Sequence, residues 1–133
     1  MIELFEVAPQ ADEFCALRVA AGMSPKDVSA AALALPLSLY AVCLRDAQRL
    51  VGMGRVVGDG LHVQVTDIAV HPDYQGQGLS RTIMESIMRY IATLAPGTGV
   101  SLFADVDWLY QKFGFTVPTK STGMYLTTWP TGG

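Results

Sequence analysis

The chain has 133 residues, 50% of them hydrophobic, with 9 Lys+Arg against 12 Asp+Glu for a formal charge of -3. That length and apolar content support a packed core, which excludes global disorder, a disulfide-stapled miniprotein and a collagen-like repeat. The mildly acidic balance leaves no basic footprint for nucleic acid, and no apolar run approaches the ~18 residues of a membrane span.

The N-terminus carries Glu3 and Glu6 where a secretory signal carries positive charge, and Cys15 and Cys43 stand among apolar neighbours without CxxC spacing. These features predict no export, no metal site and no disulfide, and they fit a reducing cytoplasm. Residues 1–133 are expected to form a single domain. A mean hydropathy of +0.32 is oily for this length and, with the apolar residues from Met124 to Trp129, predicts that a second copy covers part of the surface, as in a homodimer.

In chain order, Ile2 to Val7 reads as a strand, and Pro9 opens a helix whose Phe14, Leu17 and Ala21 recur at three and four residues up to Gly22. Ser24 before Pro25, with Asp27 three residues on, predicts a capped second helix that runs to Leu35 and stops at Pro36. The period then changes to two. Segments 37–44, 50–57 and 61–70, separated by the polar turn 45–49 and by Gly58-Asp-Gly60, predict an antiparallel meander. Leu79, Ile83, Ile87 and Leu94 form one stripe of a helix of about fifteen residues. A short strand at Val100 to Ala104 follows, implying a right-handed parallel crossover. A short helix over 105–112, strands at Phe115 to Val117 and Met124 to Thr128, and a frayed tail complete the prediction.

The turn Gln75-Gly-Gln-Gly-Leu-Ser80 stands where a strand hands over to the long helix. Small residues there leave several N–H groups unshielded next to the first helical N–H groups, which lack internal acceptors. Such a turn either cradles a diphosphate or simply reverses the chain and caps the helix. It is neither a Walker loop nor a full GxGxxG.

Residues 67–80, Asp-Ile-Ala-Val-His-Pro-Asp-Tyr-Gln-Gly-Gln-Gly-Leu-Ser, together with Leu109-Tyr-Gln-Lys-Phe-Gly-Phe115, resemble the GCN5-related N-acetyltransferase family. The resemblance implies an α/β (α+β) fold, with a mixed, mostly antiparallel sheet of about seven strands and flanking helices. It also implies acetyl-coenzyme A as co-substrate. The pantetheine arm is then expected along the backbone of Ile68, Ala69 and Val70, at a bulge in the fourth strand. The diphosphate is expected on Gln75, Gly76, Gln77, Gly78 and Ser80, where Ser80 replaces the usual Gly or Ala and either contacts phosphate or caps the helix. Arg81 either adds charge or is an ordinary exposed helix residue, and His71-Pro72-Asp73 is read as an Asx-type turn.

The same resemblance makes Tyr110 the proton donor to the departing thiolate and Asp67 the group that orients or deprotonates the amine. The segment 105–110 is two residues shorter than in many relatives, which leaves the place of Asp105 open, and Trp108 either seals the core or meets substrate. His62, five residues before Asp67, falls on the opposite strand face unless a bulge intervenes. The acceptor cleft implied by the family lies near Arg18, Met23, Ser24 and Tyr40, while the two cysteines read as core. The expected activity is acetyl transfer to a primary amine of a small molecule. Acetylation of a protein or peptide amine and a non-catalytic acyl-coenzyme A sensing role are the alternatives.

Overall fold

The computed structural model describes residues 1–105 and 107–126, in two compact units, Met1–Phe103 and Ala104–Gly133. In the first unit the chain runs β1 (Ile2–Phe5), α1 (Ala11–Ala20), α2 (Val28–Ala34), a 3-10 turn (Leu35–Leu37), β2 (Tyr40–Asp46), β3 (Arg49–Gly58) and β4 (His62–Val70). A second 3-10 turn (Pro72–Tyr74), α3 (Leu79–Ile91) and β5 (Gly99–Ser101) follow. The strands make one sheet in the order β1-β2-β3-β4-β5, antiparallel except for the β4–β5 pair joined through α3. The mixed, mostly antiparallel sheet with flanking helices is the expected class.

Among the described residues the sheet has five strands, fewer than the expected seven. Phe115 to Val117 forms no strand, and Pro118 directly after it has no N–H to extend a ladder. Residues 124–126 are likewise outside any strand, and Thr127 and Thr128 lie outside the described residues.

Helices cover both faces of the sheet. On one, Phe14, Cys15 and Leu17 of α1, Ala31 of α2 and Leu35 pack with Cys43, Met53 and Ala69. On the other, Ile83, Met84 and Ile87 of α3 are fully buried, as the predicted stripe requires. Gly54 lets α3 approach, since a Cβ there would lie 2.6 Å from Ile68 Cδ1, 2.7 Å from Ile83 Cγ2 and 3.0 Å from Ile87 Cδ1. Three branched side chains cannot all retreat in a filled core. Gly54→Ala is therefore expected to cost about 1–3 kcal/mol, read as a lowered midpoint in thermal or urea unfolding.

Two helix starts differ from expectation. The second helix begins at Val28, because the Asp27 carboxylate caps it by accepting the Ala30 N–H at 2.9 Å, while the Ser24 hydroxyl accepts a bond from Arg18 at 3.1 Å. The first begins at Ala11, where Glu13 accepts the Gln10 N–H at 2.9 Å. In the second unit, α4 (Trp108–Gln111) is a single turn, and the chain leaves it through Gly114 in a left-handed conformation, φ +93°. No helix among the described residues is long and apolar enough to cross a membrane.

Candidate functional site: a bulged strand and a glycine turn

Between Met53↔Ala69 and Arg55↔Thr66 the β3–β4 register shifts, so that Asp67 and Ile68 together face the single residue Gly54. Asp67 has φ +59°, a left-handed backbone that L residues seldom adopt. This is the expected bulge in the fourth strand. Past it, the His71 N–H donates to the Val51 carbonyl at 2.8 Å. By antiparallel alternation Ala69 shares its backbone groups with Met53 of β3, and Val70 turns its own toward the opposite edge.

That edge is open where it matters. β5 pairs with β4 only through Gly99–Ser101 against His62–Gln64, so beyond Gln64 the β4 edge has no strand partner among the described residues. Of the three strand residues expected to meet the pantetheine arm, Val70 presents its N–H there, and Ala69 faces the ladder instead. The Val70 carbonyl accepts a bond from Gln75 Nε2 at 3.1 Å. The Gln75 amide side chain thus ties the glycine turn to the strand end.

The turn is held from below. His71, whose Nδ1 accepts the Asp73 N–H at 3.1 Å, caps the 3-10 turn in place of the expected Asx-type arrangement. Tyr74 Oη donates to Asp46 at 2.5 Å, and the Arg49 guanidinium lies 5.5 Å over the Tyr74 ring. Gly76 and Gly78 both have left-handed backbones, φ +82° and +78°, and a Cβ on either would meet nothing within 4 Å. Gly78 is the N-cap of α3. The N–H groups of residues 76–79 have no partner among the described residues, so the turn presents unshielded donors to open space at a helix N-terminus. Unshielded N–H donors at a helix N-terminus suit an anionic group. Ser80 and Arg81 lie in the first turn of α3, and Arg81 is exposed with Glu85 3.7 Å away.

The bulge also changes the strand face of Asp67. His62, Gln64 and Thr66 share the Arg55 face by parity, and the extra residue brings Asp67 to that face too. His62 is nonetheless five strand residues away, roughly 16 Å along the chain. Asp67 is buried, 6% exposed, between two guanidiniums: Arg18 Nη1 donates to Oδ1 at 2.5 Å and Arg55 Nε to Oδ2 at 2.6 Å. Arg18, expected in the acceptor cleft, is committed to Asp67 and to Ser24. Tyr40 stands on the other sheet face, its ring stacked 5.0 Å from Tyr90 of α3 and its hydroxyl donating to Glu6 at 3.1 Å.

Neither cysteine offers a nucleophile. Burial pushes the Cys43 thiol up to about 11, its Sγ donating to the Val7 carbonyl at 2.9 Å, and burial also raises Cys15. No cluster of metal-ligating residues occurs among the described residues.

In the second unit, burial and then the Asp105 carboxylate raise the Tyr110 hydroxyl above its ordinary value, so it stays protonated throughout the neutral range. Asp105 thus acts on Tyr110 despite the shortened segment. Trp108 is 57% exposed with Lys112 Nζ 5.0 Å over its ring, which disfavours a role as a core plug. The Phe113 and Phe115 N–H groups both donate to the Tyr110 carbonyl, at 2.9 and 3.2 Å, and close the helix around that residue.

The family model for the acetyltransferase (GNAT) domain matches residues 36–117. Among curated proteins, the chain is 36% identical over 84 residues to the uncharacterized N-acetyltransferase ycf52 of Porphyra purpurea, covering 60% of this chain and 48% of that protein. It is 37% identical over 86 residues to the chloroplastic GCN5-related N-acetyltransferase 2 of Arabidopsis thaliana, covering 61% and 33%. The match therefore spans half or less of the length of these relatives. A solved structure of a probable acetyltransferase of unknown function from meticillin-resistant Staphylococcus aureus is 48% identical, with a TM-score of 0.89 over 96% of this chain and 99% of that one. A GNAT family acetyltransferase from Streptococcus pneumoniae is 26% identical, with a TM-score of 0.79 over 96% and 98%.

Proposed function

The chain belongs to the GNAT acetyltransferase family, and from that premise we propose that it transfers an acetyl group from acetyl-coenzyme A to a primary amine by direct attack in a ternary complex. The observation that carries this reading is the pairing of a β4 edge with the left-handed turn at Gly76 and Gly78 at the head of α3, since neither the edge beyond Gln64 has a strand partner nor the turn N–H groups a hydrogen-bond partner among the described residues. One feature binds an extended amide-bearing arm, the other a diphosphate. The co-substrate supplies an activated thioester, so no enzyme nucleophile is required, in keeping with the two inert thiols.

In this reading Val70 and Ile68 hold the arm through backbone groups, and residues 76–80 hold the diphosphate with Gln75 as the strut beneath. Arg81 adds positive charge at the rim. Tyr110 protonates the leaving thiolate, supported by its raised hydroxyl and its place before Gln-Lys-Phe-Gly-Phe. Asp67 enters as a structural carboxylate, because both of its oxygens accept from arginines and the residue is buried. The acceptor is proposed to be a small-molecule amine, with peptide amines tested alongside it. The reaction is placed in the cytoplasm, where two free buried cysteines remain reduced.

Purified protein screened against primary amines and peptide N-termini, with free thiol and acetylated product followed together, tests the activity. Thiol release matched by acetylated amine supports it. Tight acetyl-coenzyme A binding with no product from any acceptor favours a sensing role.

The homodimer is proposed on Leu33 and Leu37, 78% and 79% exposed at the end of α2 and in the turn after it, with Val28 exposed at the start of that helix. Sedimentation equilibrium should give twice the chain mass at micromolar concentration, and Leu33→Lys with Leu37→Lys should return it to one. A concentration-independent monomer mass for the unaltered protein refutes it.

A further inference from the structure

We propose that Arg18, Asp67 and Arg55 form a clamp that holds β4 in its bulged form, which makes them positioning residues for the acetyl-coenzyme A site. The inference rests on the acetyltransferase reading above, since it is the bulge that presents the β4 edge to the co-substrate.

A left-handed backbone at a residue with a side chain persists only where its surroundings impose it. Aspartate tolerates that region better than most residues, but the single Asp67 is held there by contacts from distant parts of the chain. Arg18 comes from α1 and is itself anchored by Nε to the Ser24 carbonyl at 3.0 Å and by Nη2 to the Ser24 hydroxyl at 3.1 Å. Arg55 comes from β3, donates to Ser38 Oγ at 3.1 Å and lies 5.7 Å over the Phe14 ring. Each arginine is thus fixed at a second point before it reaches the carboxylate.

The clamp and the core select the same register. Without the extra residue, a slip of one would turn Ala69 out of the cluster it shares with Met53 and Cys43 and would exchange the edges that Ala69 and Val70 face. No buried side-chain nitrogen or oxygen among the described residues lacks a partner, so the three charges form a closed set with the two serines. This set ties the α1–α2 link to the strand that carries the co-substrate, through contacts that share no atom with the glycine turn.

Two substitutions separate backbone from charge. Asp67→Gly and Asp67→Ala both remove the carboxylate and leave the same two arginines without it, but glycine adopts φ near +60° freely and alanine does not. Calorimetry with acetyl-coenzyme A should show Asp67→Ala binding about tenfold more weakly than Asp67→Gly, both shown folded by circular dichroism. An affinity in folded Asp67→Ala equal to that of the unaltered protein overturns the proposal. With an acceptor in hand, KM for acetyl-coenzyme A should rise more than kcat falls in Asp67→Ala; a collapse of kcat at unchanged KM would instead mark Asp67 as a base.

Arg55→Lys keeps the charge beside Asp67 and gives a second route should Asp67→Ala fail to fold. Amide hydrogen exchange at Ala69 and His71, which pair with β3 just past the bulge, should quicken about tenfold while the α3 core amides keep their protection. Unchanged exchange at both amides overturns the clamp. This arm needs no co-substrate, so it decides the clamp even if the unaltered protein binds no acetyl-coenzyme A, a result that would sink the acetyltransferase reading alone.

Discussion

Gly78→Asp is expected to abolish most acetyl-coenzyme A binding, weakening it at least a hundredfold, while the protein still folds. The position has φ +78°, and a Cβ placed there meets nothing within 4 Å, so the substitution brings no packing clash. Its cost to stability is the left-handed backbone alone, about 1 kcal/mol, and aspartate is among the residues that tolerate that region. The cost to binding is different in kind. A carboxylate would stand at the N-terminus of α3, amid the N–H groups of residues 76–79, and compete for those donors while repelling the diphosphate. Gly78→Ala separates the two effects, since it carries the backbone strain without the charge and should lose only a few-fold. Calorimetry on folded proteins measures both. Equal affinity for Gly78→Asp and the unaltered protein would remove the turn from the binding site.

Tyr110→Phe is expected to leave the fold and acetyl-coenzyme A affinity intact and to cut the acetyl-transfer rate by roughly 10²-fold. The ring still fills its place and only the hydroxyl is lost. Because burial and Asp105 raise the hydroxyl above the ordinary tyrosine value, the proposed donor keeps its proton through neutral pH. The alkaline limb of the unaltered enzyme should therefore lie above the ordinary tyrosine range, and Tyr110→Phe should lack that limb. Asp105→Asn removes the charge that helps raise the hydroxyl and should move the limb downward. Single-turnover measurements at saturating acetyl-coenzyme A keep slow product release from masking the chemical step. An unchanged single-turnover rate in Tyr110→Phe would take this residue out of the mechanism.

These two substitutions address positions that stand out in the sequence for local reasons. Glycines two apart at a strand-to-helix junction are legible because their backbone demand depends on neighbours in the chain. Tyr110 is legible only through its motif, since a tyrosine on a short helix is otherwise an ordinary packed aromatic. The second helix shows where local reading fails. Ser24 and Asp27 both fit a capping pattern, and the choice fell to Asp27 because Arg18 takes the Ser24 hydroxyl. Gln75 reads in the sequence only as a polar residue of the turn, and the bond from its side chain to the Val70 carbonyl becomes visible only in the fold.

The sequence by itself determined the order of elements from β1 to β5, the alternation of Val63 and Val65 in β4, the Ile83 and Ile87 stripe of α3 and the turn chemistry of Gly76 and Gly78. Each follows from periods of two or 3.6 residues, or from one residue's backbone freedom, and needs no knowledge of what lies across the sheet. Only the tertiary structure decided the fate of Asp67, the sheet face of Tyr40 and the commitment of Arg18. Asp67 takes one arginine from 49 residues earlier and another from 12 residues earlier, and the bulge that admits both breaks the strand period at the point where the sequence looks regular. A charge among apolar residues reads as a reactive group until the fold brings its counter-charges to it. Burial and pairing are set by contacts distant in sequence, and a short-range pattern carries no information about them.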